Sequence, residues 1–217
     1  GILYDIDLYQ IEELFENIRT YNIDSNNLKN LSEISGKSEL ESDGKNLALI
    51  LRKVLENQKQ REKIIGLIKE VLPFINNIKV KRTANKFFST SISEIYSNRV
   101  SIPSTLMSDG TINILALLII LYIEKKSFIV IEEPEEHIHP HLISKIVDLM
   151  KDVTSRFDKQ IIITTHNSEL VKFSGIDNIL LIQRDENGNS IISKPALNNE
   201  VKEFLKNEMG LEELYIS

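Results

Sequence analysis

The chain has 217 residues, of which 41% are apolar and 27% charged, with a net charge of −6. This is an ordinary globular balance; it argues against a wholly basic nucleic-acid module while leaving room for a local basic face. There is no cysteine, which excludes disulfides, thiolate metal sites and cysteine nucleophiles and is compatible with a reducing cytoplasm.

Leu8, Ile11, Leu14, Phe15 and Ile18 recur at helical spacing, so a helix is expected over 8–20. Residues 21–43 are rich in Asn and Ser and read as a loop, with Ser42-Asp43-Gly44 as a turn and helix entry. Helices are predicted over 46–55 and 60–72, the second closed by Pro73. From 76 to 102 the chain is β-rich and partly alternating, which predicts two or three antiparallel strands. A helix over 110–124 and a buried strand over 127–131 follow. Next comes a helix over 136–153 with Ile138, Leu142, Ile146, Leu149 and Val153 on one face. A second buried strand covers 161–165, then a short helix at 168–173, strands near 178–183 and 189–194, and two short terminal helices. Uniformly apolar strands separated by a helix imply an α/β fold with a mainly parallel sheet and helices on both faces. The longest apolar run, Ile114–Ile123, falls short of the roughly 20 residues that span a bilayer and reads as a core helix. No membrane partner is therefore expected.

Three segments carry chemistry. In SFIVIEEPEEHIHP, residues 127–140, an apolar strand ends in Glu132 and Glu133. Ligands of a parallel sheet sit beyond the carboxyl ends of its strands, so two acids there suit Mg²⁺ binding and the polarisation of an attacking water. In IIITTHN, residues 161–167, a second buried strand ends near His166, which the topology should bring beside Glu133. An imidazole there could hydrogen-bond a γ-phosphate. In TLMSDGTINILALL, residues 105–118, Ser108, Asp109 and Gly110 precede a long apolar helix. Free N–H groups at a helix N-terminus form an anion site; Ser and Asp are equally good N-caps, and both readings stand.

In this order the three segments resemble the motif set of ABC-class ATPases, and the EEPE…HP wording resembles the RecF/OLD-like group with its SMC/RecF-type head. MSDGT is similar to the signature motif, FIVIEEPE to Walker B with its catalytic glutamate, EHIHP to the D-loop and TTHN to the histidine switch. SDGKNLALIL, residues 42–51, is similar to the segment before the helical lobe, and the likeness extends over about 14–215. The resemblance implies a P-loop NTPase-like fold. Residues 1–104 would form a helical lobe with antiparallel strands, and 105–217 the C-terminal ATPase lobe. It implies ATP and Mg²⁺ as ligands, with Glu133 and His166 catalytic and Glu132 at the metal. Ser108, Asp109, Gly110 and Thr111 would contact nucleotide in trans, with Glu136 and His137 at the dimer contact. Glu132 stands where many such proteins have Asp, and Thr111 where transporters often have Gln.

The phosphate-cradling loop of that family is not in this sequence. SGKS at 35–38 lacks the required glycine, with Leu31 in its place and no apolar strand before it. Because the chain opens on Gly1 rather than Met, it reads as part of a longer protein that supplies the loop upstream. The expected function is therefore part of an ATP-hydrolysing head that dimerises around ATP, in DNA-related or phage-defence work with a nuclease or nucleic acid as partner, with the fragment alone inactive. Two other readings are a non-enzymatic scaffold built on an ATPase lobe, and a metal-dependent hydrolase using Glu132, Glu133 and the histidines 137, 139 and 141.

Overall fold

The computed structural model describes residues 15–197. The strands β1 (Ile18–Asn22), β6 (Phe128–Glu132) and β7 (Gln160–Thr164) form a parallel sheet in the order β1-β6-β7. A second sheet is antiparallel: β2 (Ser32–Glu33), β3 (Ile75–Thr83), β4 (Phe87–Glu94) and β5 (Ser97–Pro103), with β4 pairing the other three. β8 (Leu181–Arg184) and β9 (Ser190–Ser193) make a separate hairpin. The helices are α1 (Ser25–Lys29), α2 (Leu47–Glu56), α3 (Gln58–Val71), α4 (Asp109–Tyr122), α5 (Ile143–Arg156) and α6 (Ser168–Ser174).

α4 is the centre of the molecule. Every residue from Thr111 to Leu121 is buried, as expected of a helix that is apolar all round. α5 instead buries one stripe, Ile143, Ile146, Val147, Leu149, Met150 and Val153. Ile129 and Ile131 of β6 join the same core, with Ile161 and Ile163 of β7 packed against it. On the opposite face of the sheet Phe128 and Val130 are half-buried and Ile162 is exposed, so among the described residues that face is the less covered of the two.

Three expectations need correction. Residues 18–20 are strand rather than helix; the stretch 8–14 lies outside the described residues. Five residues, with Arg19 half-buried and Thr20 exposed, carry too short a pattern to separate the two periodicities. The polar segment 21–43 contains the end of β1, α1 and β2 rather than loop alone. The helix expected from 136 begins at Ile143, after a 3₁₀ turn at Pro140–Leu142, because 133–138 fold into tight turns first. The terminal helices expected after strand 189–194 fall largely outside the described residues.

Glycine is required at position 44. Its φ is +77°, and a Cβ there would meet the Leu28 side chain at 2.4 Å. The adjoining Asn46 is buried, accepts from the Glu41 N–H at 2.8 Å and donates to the Glu39 carbonyl at 2.9 Å. The loop so fixed accepts the Asn22 N–H at the Ser42 carbonyl, 2.9 Å away. The SDGKN segment thus buttresses the end of β1.

Candidate functional site

The parallel register sets Asn22, Glu132 and Thr164 side by side at the carboxyl ends of three strands. The Asn22 amide donates to Glu132 Oε2 at 2.8 Å and aims that carboxylate. Asn22 was not legible as a site residue, since it lies in what reads as a polar loop.

Beyond the sheet the chain turns sharply. The Glu133 N–H donates to the Thr164 carbonyl at 3.0 Å, and the Glu136 N–H to the Glu133 carbonyl at 3.0 Å. Glu133 has φ 41° and His137 φ 62°, a left-handed conformation that costs a residue with a side chain roughly 1–2 kcal/mol. Such strain persists where surrounding contacts over-determine it, often at working sites. His166 lies in the segment after β7, and its Nε2 is 3.4 Å from Glu133 Oε1. Both side chains are open to solvent, the histidine almost fully. The two residues that the sequence pairs are therefore together in space.

The turn is held from both sides. The Thr165 hydroxyl donates to Glu135 Oε1, while the Thr165 oxygen accepts the Asn167 N–H at 2.9 Å. Asn167 caps α6 by accepting from the N–H groups of Glu169 and Leu170. Glu135 is buried and its second oxygen has no hydrogen-bond partner. On the other side, Asn113 of α4 donates to the Glu136 carbonyl at 2.8 Å. Asn113 was not singled out from the sequence, although a polar residue inside an apolar helix is the signal that could have found it.

Ser108 is the N-cap of α4 and accepts the Thr111 N–H at 3.2 Å, with the two hydroxyls 2.8 Å apart. The capping reading of this segment is thus realised. Asp109 forms an ion pair with Lys29 of α1. The hydrogen bond from Lys29 holds the Asp109 carboxyl below the usual carboxylate range. Gly110 packs on the turn: a Cβ there would lie 2.6 Å from the His137 carbonyl oxygen. That contact is a sufficient reason for glycine at this position.

The histidines do not converge. His137 lies 3.6 Å from Glu136 Oε1, and His139 Nδ1 accepts the His141 N–H at 3.2 Å. Among the described residues no three His, Cys, Asp or Glu side chains form a group able to hold a metal. A single carboxylate such as Glu132 still suits Mg²⁺, which keeps most of its waters and takes phosphate oxygens as ligands.

The sequence matches the family described as "AAA domain, putative AbiEii toxin, Type IV TA system" over residues 9–172, well over half of the chain. The chain belongs to this AAA-domain family. No curated protein matches it. Among solved structures, this AAA-domain chain is similar to one from a study of ATP-driven dimerization and DNA-stimulated activation of SMC ATPases. The TM-score there is 0.56 at 14% identity, over 75% of this chain and 97% of the other. An SMC head bound to the C-winged helix domain of ScpA gives 0.51 at 15% identity, over 71% of this chain and 51% of the other. The Smc head domain with a coiled coil and joint from Pyrococcus yayanosii gives 0.52 at 15% identity, over 75% and 33%. At these identities the likeness establishes the fold: an α/β, SMC-head-like P-loop ATPase fold with a parallel sheet. No helix among the described residues is long and apolar enough to cross a membrane.

Proposed function

We propose that this AAA-domain chain is the hydrolytic half of an ABC-type ATPase head. The observation that carries the reading is the 3.4 Å approach of His166 to Glu133 at the carboxyl ends of parallel strands. In this reading β6 and its acids are the Walker B segment, and Ser108–Thr111 is the signature segment.

The residues divide the work as follows. Glu132, aimed by Asn22, would hold Mg²⁺, which when bound neutralises charge on the phosphate oxygens. Glu133 accepts a proton from, or orients, the attacking water. His166, through its solvent-facing ring, donates to the γ-phosphate and is oriented by Glu133. Ser108 and Gly110, at the start of α4, present N–H groups to a nucleotide held by a second head. Glu136 and His137 lie in the turn against Gly110, where a dimer contact would read the state of the strand-end acids.

A strand carrying the phosphate loop has an edge to join. The outer edge of β7 is unpaired among the described residues, and Ile162 on it is 40% exposed. A strand added in parallel there would deliver its loop beside Thr165 and His166. DNA-related or defence work, a cytoplasmic setting and a partner nuclease belong to the same proposal and rest on family resemblance.

The test is Ser108→Arg in a head completed with a phosphate-loop lobe. The cap it removes is worth about 1 kcal/mol, which a folded head tolerates. ATP binding to a single head should persist and turnover should be lost, both measured on one preparation. Unchanged turnover would reduce Ser108 to a helix cap.

A further inference from the structure

Charge is unevenly divided in this chain. The stretch 75–103, which forms β3, β4 and β5, contains Lys79, Lys81, Arg82, Lys86 and Arg99 against the single acid Glu94. It is a +4 segment within a chain of net charge −6, so the remainder carries −10. Scattered surface lysines would not produce that contrast; a basic face set in an acidic molecule does.

The pleat gathers the charges. Ile78 and Val80 of β3 are buried, so the alternate residues Lys79 and Lys81 point outward, and both are exposed. Their cross-strand partners are hydroxyl residues, Ser91 opposite Lys79 and Ser89 opposite Lys81. Thr83, at the end of the same row, shares a 3.1 Å hydrogen bond with Ser89. Lys86 is exposed at the hairpin tip, where Ala84 and Asn85 take positive φ. Arg82 forks onto the Asn85 carbonyl at 3.2 and 2.7 Å and fixes that tip. Among the described residues no carboxylate pairs with Lys79, Lys81 or Lys86, although Glu33 lies across from Phe87 and Glu94 ends β4. The face therefore presents unpaired ammonium groups flanked by hydroxyls on a rigid sheet. Lysines with Ser and Thr hydroxyls are the set that contacts a phosphate backbone without reading sequence.

We propose that the outward face of β3 and β4, centred on Lys79, Lys81, Ser89 and Ser91, binds the phosphate backbone of nucleic acid. The occupant is a polyanion with regularly spaced charges rather than a single nucleotide, because the lysines lie in a row along the strand and line no closed pocket. The surface is distinct from the strand-end acids, and its binding does not require ATP.

The experiment measures the anisotropy of fluorescein-labelled single- and double-stranded DNA and RNA oligonucleotides titrated with the chain, without nucleotide, from low to moderate salt. Wild type should bind at low salt and weaken linearly on a log–log salt plot. Lys79→Glu combined with Lys81→Glu should weaken binding at least tenfold and reduce the salt slope by about 2. Lys59→Glu combined with Lys69→Glu, on the exposed surface of α3, changes the net charge equally and should leave binding near wild type. Thermal melts of both variants should match wild type, since none of these side chains is buried. Equal losses in the two variants would show a net-charge effect and overturn the assignment. So would absence of salt-dependent binding by wild type. Binding of phosphatidylserine vesicles, but of no oligonucleotide, lost in Lys79→Glu/Lys81→Glu would assign the face to a membrane surface instead. A failed ATPase assay would leave this result untouched.

Discussion

The Gly110 Cα and the His137 carbonyl are packed so closely that a methyl group at Gly110 would lie 2.6 Å from the carbonyl oxygen. The start of α4 and the turn after β6 are thus one rigid unit, joined again by Asn113 donating to the Glu136 carbonyl. Gly110→Ala must push the turn away or shift the helix, and overpacking of this kind typically costs about 1–3 kcal/mol. A lowered melting temperature in the chain alone, with no ligand present, is the expected result. An unchanged melt would mean that the glycine serves only the approach of a ligand.

Asn22 offers a cleaner dissection of the acids. Asn22→Leu keeps the strand but removes the amide that holds Glu132 Oε2. In a completed head, the Mg²⁺-dependent part of ATP affinity should fall several-fold, with Mg²⁺-free binding unchanged. Isothermal titration with and without Mg²⁺ reads both. Equal weakening in the two conditions would assign Asn22 to folding of the sheet edge.

Glu133 stands at φ 41°, so its side chain is kept there against a backbone penalty of roughly 1–2 kcal/mol. Glycine pays no such penalty but loses more chain entropy on folding, roughly 0.5–1 kcal/mol. Glu133→Gly should therefore match or exceed wild type in a denaturant melt while removing the carboxylate. A variant that is less stable by several kcal/mol would show that the Glu133 side chain supports the turn.

The buried Tyr21 hydroxyl donates to Glu124. Burial alone would raise the Glu124 carboxyl, but hydrogen bonds from Tyr21 and from the N–H groups of Lys126 and Lys125 outweigh it and hold the group below its ordinary 4.5. A depressed folded value contributes stability that is complete above about pH 4.5 and is lost as pH falls through the folded value. Tyr21 shifts the other way, raised by burial and then by Glu124, so its contribution is complete below pH 10.0 and lost above it. Tyr21→Phe should cost about 1–3 kcal/mol at pH 7. It should also flatten the loss of stability below pH 4.5, as followed by urea melts across pH. An unaltered acid limb would mean that the backbone N–H groups alone set Glu124.

Much of this architecture is written in local pattern. α4 and the strands β6 and β7 are long or uniformly apolar, and the acids and His166 follow them directly, so their meeting follows from parallel topology. β1 is not legible because five residues cannot display a period, and the same holds for Asn22 at its end. From 136 to 138 the turn reads as helix because Ile138 and Leu142 continue the apolar spacing of α5. The left-handed angles at Glu133 and His137 override that pattern, and no residue type there announces them. Lys29 has no sequence signal at all: its partner Asp109 is 80 residues away.

Phosphate release by the completed head decides whether Glu133 activates water for attack on ATP. The chain by itself should fold and show no turnover, since no loop in it cradles the β-phosphate. With the phosphate-loop lobe supplied, Glu133→Gln keeps side-chain size and loses the base. Turnover should fall about 10²–10⁴-fold while ATP and Mg²⁺ still bind and the ATP-bound dimer accumulates in light scattering. Turnover by Glu133→Gln at the wild-type rate would show that Glu133 is not the group that activates the water.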